Sequence, residues 1–391
     1  MRIVHEEPGT HSQTQSVVGI VVYVGGAYET KKSRGVSHLL EHVCFRGTSK
    51  YSKNEISNLT SQLGNINAQT TWNYTLYYMA VPHKHVSQAI DILNQIVFHP
   101  LLREEDIKSE LQIVKHELSM YQDVPGRLLL EMTVDMIYQY PVGSGTGGWD
   151  STLNYLDAKF VKEFHRKHYT TKNSSLVVIA PKWAFRSTKL ISPPKFTNPA
   201  QLSFPRVLGP AFFKINTKRH FKQKHISITF VVPCDPSDHA LELSVGIVCH
   251  LLGGDMDSVL FKQVREEQNC TYQIKANNER FGPNILVIIS LSTFEHDVER
   301  CIRSTLESVM ALSQHSVSLK SLEATSKNIL RQVEGQTSMR RLQTIAQGLA
   351  TNTPYYQLRD LKGILSKVSQ QKIDYVCGCL NPAKARIVAV Y

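Results

Sequence analysis

Residues 17–24 form the longest apolar stretch of the chain and end at Gly25-Gly26, a pattern that predicts one buried strand. Helical spacing follows at 37–45, before Gly47, and at 53–63, before Gly64. Over 67–81 the residues Trp72, Tyr74, Leu76 and Tyr78 alternate with their neighbours, which predicts a half-buried strand. Segments 86–98 and 104–122 read as amphipathic helices separated by Pro100. Another helix is expected at 159–168 and a buried strand at 175–180. Strands and helices in this order predict a mixed α/β (α+β) layer with helices packed on a sheet.

The pattern then lapses. Residues 183–210 hold Pro193, Pro194, Pro199, Pro205 and Pro210 with little periodicity and read as a linker. The second half repeats the first in outline. It offers a strand at 225–232, helices at 240–252 and 258–268, strands at 271–276 and 284–290, helices at 295–313 and 319–350, and a closing strand at 386–391. The expected division is a first domain over 1–182, a linker over 183–210 and a similar second domain over 211–391. Each domain would carry a mixed, largely antiparallel sheet. One local match fits a duplication. His38-Leu39-Leu40-Glu41-His42 corresponds to His250-Leu251-Leu252-Gly253-Gly254, so the second half has no equivalents of Glu41 and His42.

Composition narrows the function classes. At 42% hydrophobic residues, 391 residues can build two ordinary cores. No run approaches the eighteen or so apolar residues of a membrane span. Residues 1–15 are polar, with no secretory signal and no Arg-rich transit peptide; a cytoplasmic location is expected, or the mitochondrial matrix if a transit peptide precedes residue 1. Seven scattered cysteines predict a reducing compartment rather than a disulfide framework. The net charge of +11 is spread along the chain without a dense basic run, so no nucleic-acid partner is expected.

The chemistry concentrates in one short segment. His38 and His42 are four residues apart, so a helix presents both imidazoles on one side, within reach of one metal ion. Glu41 lies on the same side and can take a proton from water without ligating. A third ligand must come from elsewhere. On the helix at 104–122, Glu110 and Glu117 border an apolar stripe of Ile107, Leu111, Val114, Leu118 and Tyr121, two turns apart. On content alone such carboxylates are usually solvated flanks. His116 points away from Glu117 and reads as a surface residue; Cys44 reads as a small buried residue.

The segment Gly26-Ala-Tyr-Glu29 … Gly35-Val-Ser-His38-Leu-Leu-Glu41-His42-Val-Cys-Phe45-Arg-Gly47-Thr48 resembles the signature of the pitrilysin and insulin-degrading enzyme family of inverted-motif zinc metallopeptidases. The two-domain branch that includes the mitochondrial processing peptidase is the most similar. The resemblance implies one zinc per chain held by His38, His42 and Glu117, with Glu41 as general base. Glu110, seven residues before Glu117, would either orient the metal shell or be structural. Asn67, Ala68, Gln69 and Thr70 match the strand edge that pairs with substrate backbone in the family; by content they read as an ordinary strand start. In the second half, Arg265 and Tyr272 match a pair that reaches the substrate at the zinc site. By content alone Arg265 is a helix-surface charge and Tyr272 a core aromatic.

The expected activity is zinc-dependent hydrolysis of peptides or unfolded segments. The alternative is a non-catalytic structural or processing-complex subunit of the same family. The resemblance also implies a homodimer, or a heterodimer with a related subunit, in which Arg265 and Tyr272 of one protomer complete the zinc site of the other.

Overall fold

The computed structural model describes residues 1–8, 14–121, 123–138, 146–148, 150–185, 207, 209–215, 221–314, 319–351 and 360–391. The first half runs β1 (Arg2–Glu6), β2 (Gln15–Val22), α1 (Val36–Cys44), α2 (Lys53–Leu63), β3 (Asn65–Thr70), β4 (Thr75–Pro82), α3 (Val86–Phe98), α4 (Glu104–Tyr121), α5 (Pro125–Ile137), α6 (Asp150–Leu153), α7 (Ala158–His168) and β5 (Ser174–Ile179). The second runs β6 (Ala211–Ile215), β7 (Lys224–Pro233), α8 (His239–Gly253), a π-helical turn (Phe261–Glu267), β8 (Gln273–Phe281), β9 (Asn284–Thr293), α9 (Val298–Gln314), α10 (Leu319–Glu334), α11 (Ser338–Ala350), α12 (Leu361–Leu365), α13 (Gln370–Cys379) and β10 (Arg386–Val390).

The two sheets have the same plan. Their strand orders are β1-β5-β2-β4-β3 and β6-β10-β7-β9-β8, so each strand of one half has a counterpart in the other. In each, one edge pair is parallel (β1 with β5, β6 with β10) and the remaining pairs are antiparallel. The mixed, largely antiparallel fold with helices on the sheet is therefore present twice.

The compact units are not the contiguous halves 1–182 and 211–391. One comprises Met1–Met120, Ser144–Ser203 and Gly335–Tyr355; the other comprises Tyr121–Gly143, Phe204–Glu334 and Tyr356–Tyr391. The helices α5 and α11 are thus exchanged. Helix α11, late in the chain, packs on β2 and β5 of the first sheet; α5, early in the chain, packs on β7 and β10 of the second. Burial explains the exchange. In β2 every residue after Gln15 is buried, which requires cover on both faces. Val18, Ile20 and Val22 face the core under α1 and α3, whereas Val17 and Val21 face Leu342, Ile345, Ala346 and Leu349 of α11. Gly19 lets Leu342 close on the strand; a Cβ there would sit 2.8 Å from the Leu342 side chain. Arg341 adds a buried bidentate pair to Glu6, at 2.7 and 2.8 Å. Of the linker expected at 183–210, residues 186–206 and 208 lie outside the described residues.

Three local expectations need correction. The stretch 67–81 is not one strand but the hairpin of β3 and β4. The Thr71 hydroxyl accepts from the amides of Asn73 and Tyr74, and Thr71 N–H donates to Tyr74 O at 2.8 Å, so side-chain capping turns the chain without Gly or Pro. The helical stretch 319–350 is two helices, with Thr337 capping the second through the amide of Arg340. The helix expected at 258–268 is largely the π-helical turn, a form of helix frequent at functional sites. Among the described residues no helix is long and apolar enough to cross a membrane.

Candidate metal centre

Helix α1 is built to present its side chains rigidly. Its first turn is capped by the buried carboxylate of Glu29, which accepts from Gly35 N–H at 2.7 Å and Ser37 N–H at 2.8 Å. Burial pushes the Glu29 carboxyl up to about 7, against the pull of these amides and of Arg34. Gly35 adopts φ 88°, open to glycine at low cost. The backbone of Gly147 and Gly148 is laid against it. A Cβ on Gly148 (φ 79°) would lie 2.7 Å from Arg34 O, and one on Gly147 would lie 2.3 Å from a Leu118 methyl and 3.8 Å from His38 Nδ1. Sequence reasoning passed over this seat. Its only signal was the paired glycine of Thr146-Gly147-Gly148.

On α1, His38 and His42 bring their rings to 4.8 Å between centroids, nearly perpendicular. Helix α4 supplies Glu117. Its Oε2 lies 3.3 Å from His42 Nε2 and 3.6 Å from His38 Nε2. One ligand atom from each of the three lies within 4.8 Å of the others, the one group of its kind among the described residues. Two nitrogens and a carboxylate oxygen are the donor set zinc takes. Bonds of about 2.0–2.1 Å in a tetrahedron place neighbouring donors roughly 3.3 Å apart, so the residues fit zinc. His116 is exposed on α4, and Cys44 is fully buried.

Glu110 lies beside this triad. Its Oε2 meets His42 Nδ1 at 3.1 Å, and Oε1 accepts from Arg46 Nε. Burial would raise its carboxyl, but the hydrogen bonds from His42 and Arg46 outweigh it and hold it low. Glu41 accepts the Thr70 hydroxyl on Oε2 at 2.5 Å. Burial raises its carboxyl, opposed by that hydrogen bond. Thr70 ends β3, the edge of the first sheet, where Asn67, Ala68 and Gln69 also lie. Ile66 and Ala68 pack toward the core under α1, and Gln69 turns to the other face, where Gln343 of α11 donates to it at 2.9 Å.

Arg265 and Tyr272 belong to the other compact unit. Arg265 sits on the π-helical turn with its guanidinium 4.4 Å from the Phe261 ring and 4.8 Å from the Tyr272 ring. Tyr272 is 77% exposed and is not a core aromatic. Both line an open pocket of about 330 Å³ with Asn269, Thr271, Phe294 and Asp297. At the counterpart of the histidine motif, α8 ends differently. His250 Nε2 pairs with Asp255 Oδ2 at 3.3 Å. A Cβ at Gly253 would lie 2.6 Å from Ala276 N, and one at Gly254 would lie 2.3 Å from the His250 ring. Neither position can carry a glutamate or histidine without displacing its surroundings.

Residues 6–148 match the family described as insulinase (peptidase family M16), and residues 155–329 match the peptidase M16 inactive domain. Together the two matches span most of the chain. The chain is 26% identical over 312 residues to YmxG, an uncharacterised zinc protease of Bacillus subtilis, covering 78% of this chain and 75% of that one. An uncharacterised zinc protease of Streptomyces coelicolor is 28% identical over 295 residues, covering 72% and 63%. Among solved structures, a protease from Helicobacter pylori superposes with a TM-score of 0.86 at 16% identity, covering 100% of this chain and 96% of that one. A peptidase M16 inactive domain from Pseudomonas fluorescens gives 0.84 at 14%, covering 99% and 94%. At these identities the structures speak for the fold.

Proposed function

Because the chain belongs to the insulinase peptidase family M16, we propose that it is a zinc-dependent endopeptidase acting on peptides or unfolded segments. The observation that carries this reading is the convergence of His38 Nε2, His42 Nε2 and Glu117 Oε2, with the Glu41 carboxylate on the same helix. His38, His42 and Glu117 would hold one zinc per chain. When bound there, zinc polarises a scissile carbonyl and acidifies a water. Glu41 takes the proton on the carboxylate oxygen that Thr70 does not hold, and returns it to the leaving amine. The edge of β3 would pair with the backbone of an extended peptide, giving grip that is independent of sequence; there the Ala68 N–H, which donates to Asn67 Oδ1 at 2.8 Å, would change partner. On the resemblance, Tyr272 of one protomer would donate to the developing oxyanion at its partner's zinc and Arg265 would hold a substrate carbonyl; Tyr272 is exposed, as such a role requires.

We also propose, on the resemblance alone, that the chain works as a homodimer. Light scattering of the purified protein checks this. The test of the function is metal content with turnover. Purified protein should carry about one zinc per chain. It should cleave a reduced, alkylated polypeptide, stop when a chelator removes the metal, and resume when zinc is returned. Protein without zinc and without hydrolysis would favour a scaffold subunit instead.

A further inference from the structure

The three proposed ligands sit on two separate helices, so the triad forms only if α1 and α4 are held in register. The contacts that hold them lie just behind the triad and centre on Arg46, two residues past the end of α1. Its Nε donates to Glu110 Oε1, and its Nη2 donates to Ser109 Oγ at 3.3 Å. The other Glu110 oxygen meets His42 Nδ1 at 3.1 Å. One carboxylate thus has one oxygen on the guanidinium and the other on a ligand ring. The side chains of Arg46 and Glu110 are only 18% and 7% exposed, so this pair is not a loose surface contact.

The backbone around Arg46 is tied to the start of α4 as well. Arg46 O accepts from Arg103 Nη2 at 3.3 Å, Leu101 N–H donates to Gly47 O at 3.0 Å, and Ser49 N–H donates to His99 O at 3.0 Å. Leu102 in that connection is buried and held at φ 48°, a left-handed conformation that a leucine adopts only when its surroundings impose it.

We propose that Arg46 is a positioning residue for the metal centre. It fixes the Glu110 carboxylate and, through it, the His42 ring, so that His42 Nε2 faces Glu117 Oε2 before any ion arrives. The planar guanidinium suits this task because its rigid fork reaches Glu110 through Nε and Ser109 through Nη2, a fixed geometry that a flexible ammonium lacks. The inference rests on the assignment of His38, His42 and Glu117 as ligands.

The test is zinc affinity of the full chain, measured by competition with a chromophoric chelator, so no substrate is needed. R46M should bind zinc roughly tenfold more weakly than wild type, the low end of the effect of losing an outer partner of a ligating histidine. R46K should fall between the two. The double variant R46M/E110Q should bind no more weakly than E110Q alone, because Arg46 acts through Glu110. Thermal melts of the metal-free variants show which remain folded. If R46M does not fold, R46K carries the test, and wild-type affinity in it overturns the proposal. An R46M affinity within about twofold of wild type, or a double loss equal to the product of the single losses, also overturns it. A wild-type chain with no zinc affinity sinks the ligand assignment itself, an outcome distinct from either of these.

Discussion

Glu41, Glu110 and Glu117 are the same residue type within one site, and their surroundings separate their roles. Glu117 faces two imidazole nitrogens, Glu110 holds the far side of one ring, and Glu41 is tied to a strand-end hydroxyl. The expected outcomes differ accordingly. E41Q should keep its zinc and hydrolyse roughly 10²–10⁴-fold more slowly, the range for losing a general base. Elemental analysis beside a turnover assay checks this, and near-normal turnover would remove Glu41 from the mechanism. E117A should purify with little zinc, while E110A retains most of it, because only Glu117 directs an oxygen at both His Nε2 atoms. The reverse order in metal content would mean that the ligand is the other glutamate.

At the scale of the element, α1 depends on its cap and α7 on neutral histidines. The Glu29 carboxylate satisfies two amides at the start of α1, and glutamine can satisfy only one with its oxygen while turning an N–H toward the other. E29Q should therefore destabilise the protein by about 1–3 kcal/mol, the cost of a buried unsatisfied donor. A denaturant melt at neutral pH measures it; an unchanged midpoint would show that the cap is dispensable. On α7, burial lowers the His165 and His168 imidazoles to about 4. His165 Nε2 also donates to Val97 O at 2.9 Å, which ties α7 to the end of α3. With folded values below the ordinary 6.5, the unfolded chain binds more protons between about 6.5 and 4. Their stabilisation is present above 6.5 and is lost as pH falls toward 4. The buried Glu29, raised to about 7, has the opposite sign: its contribution is lost as pH rises through that value. His165 and His168 should together contribute a fall in stability on acidification from about 6.5 toward 4. H165Q keeps the donor to Val97 O and should flatten the slope; a slope unchanged by H165Q would show that His165 is not titrating there.

For the whole molecule, the exchanged helices decide which pieces can fold. A fragment of residues 1–182 contains all the proposed ligands and the entire first sheet, but not α11. It would expose Val17, Val21, Leu76, Val177 and Ile179 and leave Glu6 without Arg341. Losing Leu342, Ile345 and Leu349 alone removes roughly 5 kcal/mol or more of apolar burial, comparable with the stability of a typical domain. The fragment should therefore show no cooperative melt, while the full chain does. A sharp transition in the fragment would mean that the contiguous half is self-sufficient.

Much of this protein is determined by local pattern. The uninterrupted apolar run in β2 requires a strand covered on both faces, and the four-residue spacing of His38 and His42 requires one helix side. Duplication shows in the repeated order of elements. Those properties depend on neighbours in sequence, where periodicity acts directly. The hairpin at Thr71–Tyr74 escaped because a threonine side chain makes its turn in place of Gly or Pro, and the break before α11 because a threonine caps a fresh helix. Tertiary structure alone decided the rest. Which carboxylate faces the histidines depends on the register of α4 against α1, set by Arg46 and the strained Leu102 connection some sixty residues apart in sequence. Which helix covers which sheet depends on complementary surfaces, Leu342 over Gly19 and Arg341 on Glu6, separated by more than three hundred residues. No periodic pattern encodes such a pairing, because each partner alone is an ordinary amphipathic face, and only their packing tells one sheet from the other.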